Sequence, residues 1–123
     1  MKKIIFVLLV SVVSISVQAQ LSHTAWKGAI KGDNPQSAVL KFGRDTLILS
    51  AADGSTIETM KYSVKDNILS IRKLSGQSDC DNITVGKYKF DIKDGTATIT
   101  LVADNCPDRS SALDKTAWKK AKL

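Results

Sequence analysis

Polar and apolar residues alternate along most of this chain, and turn signals interrupt the alternation about every eight to twelve residues. The clearest stretch, residues 86–92, sets Tyr88, Phe90 and Ile92 against Lys87, Lys89 and Asp91. In residues 96–102, Ala97, Ile99 and Leu101 alternate with threonines. A period of two sends successive side chains to opposite faces, so these runs read as half-buried antiparallel strands. The same pattern predicts strands over 24–30, 38–42, 46–50, 56–64, 68–74 and 116–123. Gly43-Arg44-Asp45, Ala52-Asp53-Gly54-Ser55, Lys65-Asp66-Asn67 and Lys93-Asp94-Gly95 separate them, and such residues favour tight hairpins. Only the connections at 75–85 and 103–115 are long, and 110–114 is the one helical candidate.

Eight strands joined mostly by short turns predict an all-β protein, an eight-stranded antiparallel up-and-down β-barrel. Closure leaves no exposed edge, whereas the alternative, a β-sandwich, needs more long crossings. The inward face should carry Trp26, Ile30, Leu40, Phe42, Leu47, Leu49, Met60, Tyr62, Leu69, Ile71, Tyr88, Phe90, Ile99 and Leu101. An eight-stranded barrel is either filled by its side chains or holds one small ligand. These strands are short and their inward residues large, so a shallow pocket at one mouth is expected, with Met60, Tyr62, Tyr88 and Phe90 as its ligand-binding lining.

The first 19 residues are not part of that pattern. Lys2 and Lys3 precede an apolar run from Ile4 to Val13, and Val17-Gln18-Ala19 forms a small-residue cleavage signature. A run this short falls below the roughly twenty residues of a membrane span. Residues 1–19 are therefore expected to be a signal peptide, and 20–123 one secreted domain without a transmembrane segment. The 123-residue chain has 18 basic and 12 acidic residues. Removing 1–19 takes two of the basic residues and leaves a net charge of +4. Composition excludes a disordered chain, a coiled coil and a collagen.

Export gives the two cysteines a meaning. In a periplasm or outside the cell, Cys80 and Cys106 have only each other to pair with, the alternative being two free thiols. A bridge would close a loop worth on the order of 3 kcal/mol of chain entropy.

The C-terminal half reads Cys80, then Gly86-x-Tyr88-x-Phe90, then Asp104-x-Cys106-x-x-Arg109, and closes on Trp118. Together with Trp26 in the first strand, this resembles small secreted bacterial lipocalin-like domains of the broader calycin group. The resemblance implies the barrel and a role in holding a small apolar molecule. It differs at two places: Thr24 stands where lipocalins carry a Gly, and Arg109 precedes the last strand. Trp26, Trp118 and Arg109 read as structural. Arg109 has two readings, a guanidinium stacked on the Trp26 indole or an ion pair with Asp104 or Asp108.

Candidate chemistry is sparse. His23 is the only histidine, Glu58 the only glutamate, and no phosphate loop occurs, so no catalytic residue, cofactor or enzyme activity is expected. A Cys80–Cys106 bridge would gather Asp79, Asp81, Asp104 and Asp108, but the usual Ca²⁺-loop spacing is missing and no metal site is expected. Lys115, Lys119, Lys120 and Lys122 show no interleaved exposed aromatics of the kind nucleic-acid binders use, and a soluble monomer without a nucleic-acid partner is expected. Two function classes stay open: a binder of a small, partly apolar molecule, or an interaction or inhibitor module on a filled barrel.

Overall fold

The computed structural model describes residues 20–122. The expected signal peptide at 1–19 lies outside the described residues. Eight strands run in chain order: β1 (Thr24–Ile30), β2 (Gln36–Phe42), β3 (Thr46–Ala51), β4 (Thr56–Lys65), β5 (Ile68–Gly76), β6 (Val85–Lys93), β7 (Thr96–Ala103) and β8 (Thr116–Ala121). A helix, α1 (Pro107–Leu113), stands between β7 and β8. Each strand pairs antiparallel with the next, and β8 returns to β1 to close the barrel. The alternation and turns thus placed the strands to within about two residues. The helix begins three residues before the expected segment because Pro107 occupies its first turn, where a missing N–H costs nothing.

The hairpins follow the turn chemistry. Asp66 and Asn67, and likewise Asp94 and Gly95, all adopt positive φ. Paired positive φ values give the turn twist that suits a two-residue hairpin. These turns lie at the end where β1 begins, here termed the floor; the longer connections and α1 lie at the opposite end, the mouth.

The floor half is packed solid by aromatic rings. Phe90 meets Trp26 edge-on at 5.8 Å between centroids and Phe42 at 5.6 Å, and Phe42 meets Tyr62 at 5.1 Å. Edge-to-face contact suits the quadrupoles of these rings. The Tyr62 hydroxyl donates to the Gly43 carbonyl at 2.6 Å, which satisfies its polar tip in the β2–β3 turn.

One expected inward residue points elsewhere, and so does Ile92 from the strictly alternating run. Leu101 is 37% exposed. The β7–β8 ladder ends at the Ile99–Thr116 pair, so beyond it β7 departs toward α1 and the Leu101 N–H is taken by Asp114. Ile92 is 48% exposed because it sits at the floor rim, one pair before the Asp94-Gly95 turn. Ile30 is half-buried against the core.

A repeat appears across the seam. Leu21-Ser22-His23-Thr24-Ala25-Trp26-Lys27 and Leu113-Asp114-Lys115-Thr116-Ala117-Trp118-Lys119 share leucine, threonine, alanine, tryptophan and lysine in register. In each copy the Trp Nε1–H donates to the Thr hydroxyl two residues before it, and that hydroxyl donates to the Leu carbonyl. His23 and Lys115, one residue before each Thr, both adopt positive φ. Their N–H groups donate at 2.8 Å to the carbonyls of Phe42 and Ile99. One copy closes the floor, the other the mouth, on adjacent antiparallel strands. Each Leu is buried.

At that seam Gly28 lies under the Trp118 ring. A Cβ there would fall 2.6 Å from the Ala117 carbonyl oxygen and 2.8 Å from the indole. Gly28→Ala should therefore destabilise the barrel by about 1–3 kcal/mol, as overpacking does. Chemical denaturation followed by Trp emission measures it, and an unchanged midpoint would show that the seam yields.

Candidate functional site

The mouth is organised around one buried cation. Arg109 projects from α1 into the protein, with a side chain 5% exposed, and meets an Asp104 side chain that is fully buried. Its Nε donates to Asp104 Oδ2 at 2.6 Å and its Nη2 to Asp104 Oδ1 at 2.8 Å. Nη2 also donates to the Thr84 carbonyl at 3.1 Å. This two-pronged pairing is the strong form of the guanidinium–carboxylate contact. Asp104 further accepts from the Tyr88 hydroxyl and from the Cys106 N–H. Of the two readings of Arg109, the ion pair with Asp104 is the one adopted, while Trp26 packs on Phe90.

Titration behaviour follows from these contacts. Burial alone would raise the Asp104 carboxyl, but hydrogen bonds from Arg109, Tyr88 and the Cys106 N–H outweigh it and hold it below the ordinary carboxylate range. Burial, reinforced by the adjoining Asp104 charge, pushes the Tyr88 phenol well above its usual value. The cluster stands on bare backbone: a Cβ on Gly86 would lie 2.3 Å from Asp104 Oδ2 and 2.9 Å from Arg109 Nε. The Gly86-x-Tyr88 and Asp104-x-Cys106-x-x-Arg109 spacings are thus one constellation.

A disulfide fastens the same region. Cys80 and Cys106 are bridged, with Cα atoms 5.6 Å apart. Cys106 is the N-cap of α1, so the bridge ties the helix start to the β5–β6 connection. The Asp79 N–H donates to Asp108 Oδ2 at 2.9 Å alongside it. Asp81 accepts from the Ile83 and Thr84 N–H groups. The four aspartates considered as a cation site are therefore engaged in loop contacts and the ion pair. Among the described residues no three metal-ligating side chains gather.

Beside α1 lies a cavity of about 210 Å³. Ile30, Leu49, Ile57, Met60, Ala112 and Leu113 form its apolar wall; Gln36, Glu58, Gln77, Ser78, Asp108 and Arg109 form its polar side. Of the four residues expected to line a ligand site, Met60 does so. The others fill the interior: Tyr62 closes the floor, Phe90 sits between Trp26 and Phe42, and Tyr88 props the ion pair. Bulky rings near the barrel axis pack against one another before they can face a guest, which separates them from Met60.

Glu58 was missed as a site residue, although period two on β4 puts it on the face of Met60 and Tyr62. It is 7% exposed, with Oε1 at 3.9 Å from Lys73 Nζ. A Cβ on Gly76 would lie 2.0 Å from that oxygen, so the glycine makes room for the carboxylate. Ser78, in the loop leading to Cys80, had no pattern to reveal it.

Removing the Asp104 carboxylate would strand the Arg109 charge in the interior. Asp104→Ala should cost about 3–5 kcal/mol. Because the folded-state carboxyl titrates lower than the unfolded one, its contribution is complete above about pH 4 and fades as pH falls through the depressed value. Denaturation midpoints between pH 7 and pH 2 measure both effects. A variant as stable as the parent, or with the same loss of stability on acidification, would refute this role.

Comparison of the chain with family models, with curated proteins and with solved structures found no match to any of them.

Proposed function

We propose that this is a secreted, non-enzymatic, lipocalin-like protein of the calycin type that holds a small, partly apolar molecule at the barrel mouth. The observation that carries the reading is the cavity between α1 and strands β3–β4, apolar on one side and polar on the other. Binding sites commonly combine an apolar wall with a few convergent polar groups. The closed antiparallel barrel is consistent with that fold. The basic, apolar start of the chain and the Cys80–Cys106 bridge support export to the periplasm or beyond the cell. Among the described residues no helix is long and apolar enough to cross a membrane.

A cavity of about 150 Å³ takes a benzene-sized guest, so this one suits a ligand of about eight heavy atoms. Burial of so few atoms supports only modest affinity, weaker than about 10 µM. A second reading, an interaction module, is favoured by Ile83, which stands 84% exposed in the loop anchored by the disulfide.

The two readings part on titration. Calorimetry with small apolar probes should give one saturable site, and Met60→Trp, which fills the cavity, should weaken binding at least about tenfold. Phe90→Leu should lower stability and leave the site intact. No binding by any probe would shift the function to the exposed loop.

A further inference from the structure

Among the described residues, three buried hydrogen-bonding side-chain atoms have no hydrogen-bond partner: Glu58 Oε1, Ser78 Oγ and Arg109 Nη1. All three belong to residues that line the mouth cavity. Buried polar atoms in native proteins are nearly always paired, and each orphan left unmade is costly. Glu58 and Arg109 are each more than nine-tenths buried, with 7% and 6% of their surface exposed. Their formal charges are already answered, by Lys73 and Asp104 respectively. What stays open is hydrogen-bonding capacity: the carboxylate oxygen wants a donor, the guanidinium N–H wants an acceptor, and the hydroxyl serves as either.

The charges around the cavity select among head groups. Of the charged residues that line it, Glu58 and Asp108 are acidic and Arg109 is basic, so the polar side has one more negative charge than positive. A carboxylate entering there meets that excess. An ammonium satisfies Glu58 but offers Arg109 no acceptor. An uncharged group with both functions satisfies both.

We infer that the guest of the mouth cavity is a small amphiphile with an uncharged head that donates and accepts hydrogen bonds, the chemistry of a primary amide, and is not a fatty-acid anion. This rests on the binder reading above. The apolar chain lies along Leu49, Ile57, Met60 and Leu113, and the head lies toward Glu58, Ser78 and Arg109.

The test is a matched series with one chain and several heads: hexanamide, hexanol, hexylamine and hexanoate, titrated calorimetrically into the disulfide-bonded protein at pH 7. Hexanamide should bind about tenfold tighter than hexanoate or hexylamine. Hexanol, a weaker partner for two sites at once, should fall between. Glu58→Gln keeps the shape and removes the negative charge, so the amide-over-carboxylate preference should narrow. Ser78→Ala should weaken hexanamide binding several-fold, and it serves as the second variant if Glu58→Gln does not fold.

Equal affinity for all four heads, or tightest binding of hexanoate, overturns the inference and leaves the mouth-binder reading standing. Unchanged selectivity in a folded Glu58→Gln overturns it as well. Failure of every probe to bind overturns both together.

Discussion

A guanidinium cannot rest inside a small β-barrel unless a carboxylate meets it there, and the mouth of this protein is built on that requirement. Arg109 and Asp104 form the pair, but neither could occupy its place with any side chain at position 86. The pair in turn fixes α1, since Arg109 and Leu113 are the helix's two buried residues. Leu113, at the helix end, then closes on the core, and the Lys31 N–H reaches back to the Ala112 carbonyl. Breaking a buried pair on one side leaves an uncompensated charge, a larger penalty than most single contacts carry. The helix is therefore anchored by electrostatics on its inner face and by a covalent bridge at its start.

The two ends of the barrel consequently have different physical characters. The floor is a ring-to-ring aromatic packing whose polar tips are met locally, the Tyr62 hydroxyl by the Gly43 carbonyl and the Trp26 Nε1–H by the Thr24 hydroxyl. The mouth keeps free volume because a helix, and not a strand hairpin, spans it, and a short helix cannot fill the space between itself and β3–β4. Interiors are otherwise packed nearly as densely as crystals, so a pocket bordered by residues with buried, unpaired polar atoms sets the mouth apart from the floor.

Much of this was legible in the chain. Period-two runs such as Lys87-Tyr88-Lys89-Phe90, bounded by Asp-Gly and Asp-Asn turns, carry both strand position and facing, because each strand is buried on one side only. The cysteine pair followed from there being only two, each with the other as its sole candidate partner, in a chain expected to be exported. Less legible was where the barrel ends. Leu101 alternates correctly yet lies past the last β7–β8 pair, and Ile92 alternates correctly yet stands at the rim. Alternation reports a face, not a height along the axis. The site suffered from the same gap: Met60, Tyr62, Tyr88 and Phe90 share the inner surface, but only Met60 stands beside the void. Glu58 was hidden by its chemistry, since a lone charged residue in a strand ordinarily reads as solvent-facing.

The repeated leucine–threonine–alanine–tryptophan–lysine segment bears on how the ring is assembled. Hairpins between successive strands form from neighbours in sequence, but the β1–β8 ladder joins residues such as Gly28 and Trp118, ninety positions apart. Contacts of such separation carry the largest loop-closure cost and govern folding rate in β proteins. Each copy of the segment folds back on itself, its threonine hydroxyl tethered to the preceding turn and its indole to the threonine. The Trp–Thr–Leu contacts of each copy are local in sequence, so the loop-closure cost of joining β1 to β8 falls on the ladder between them.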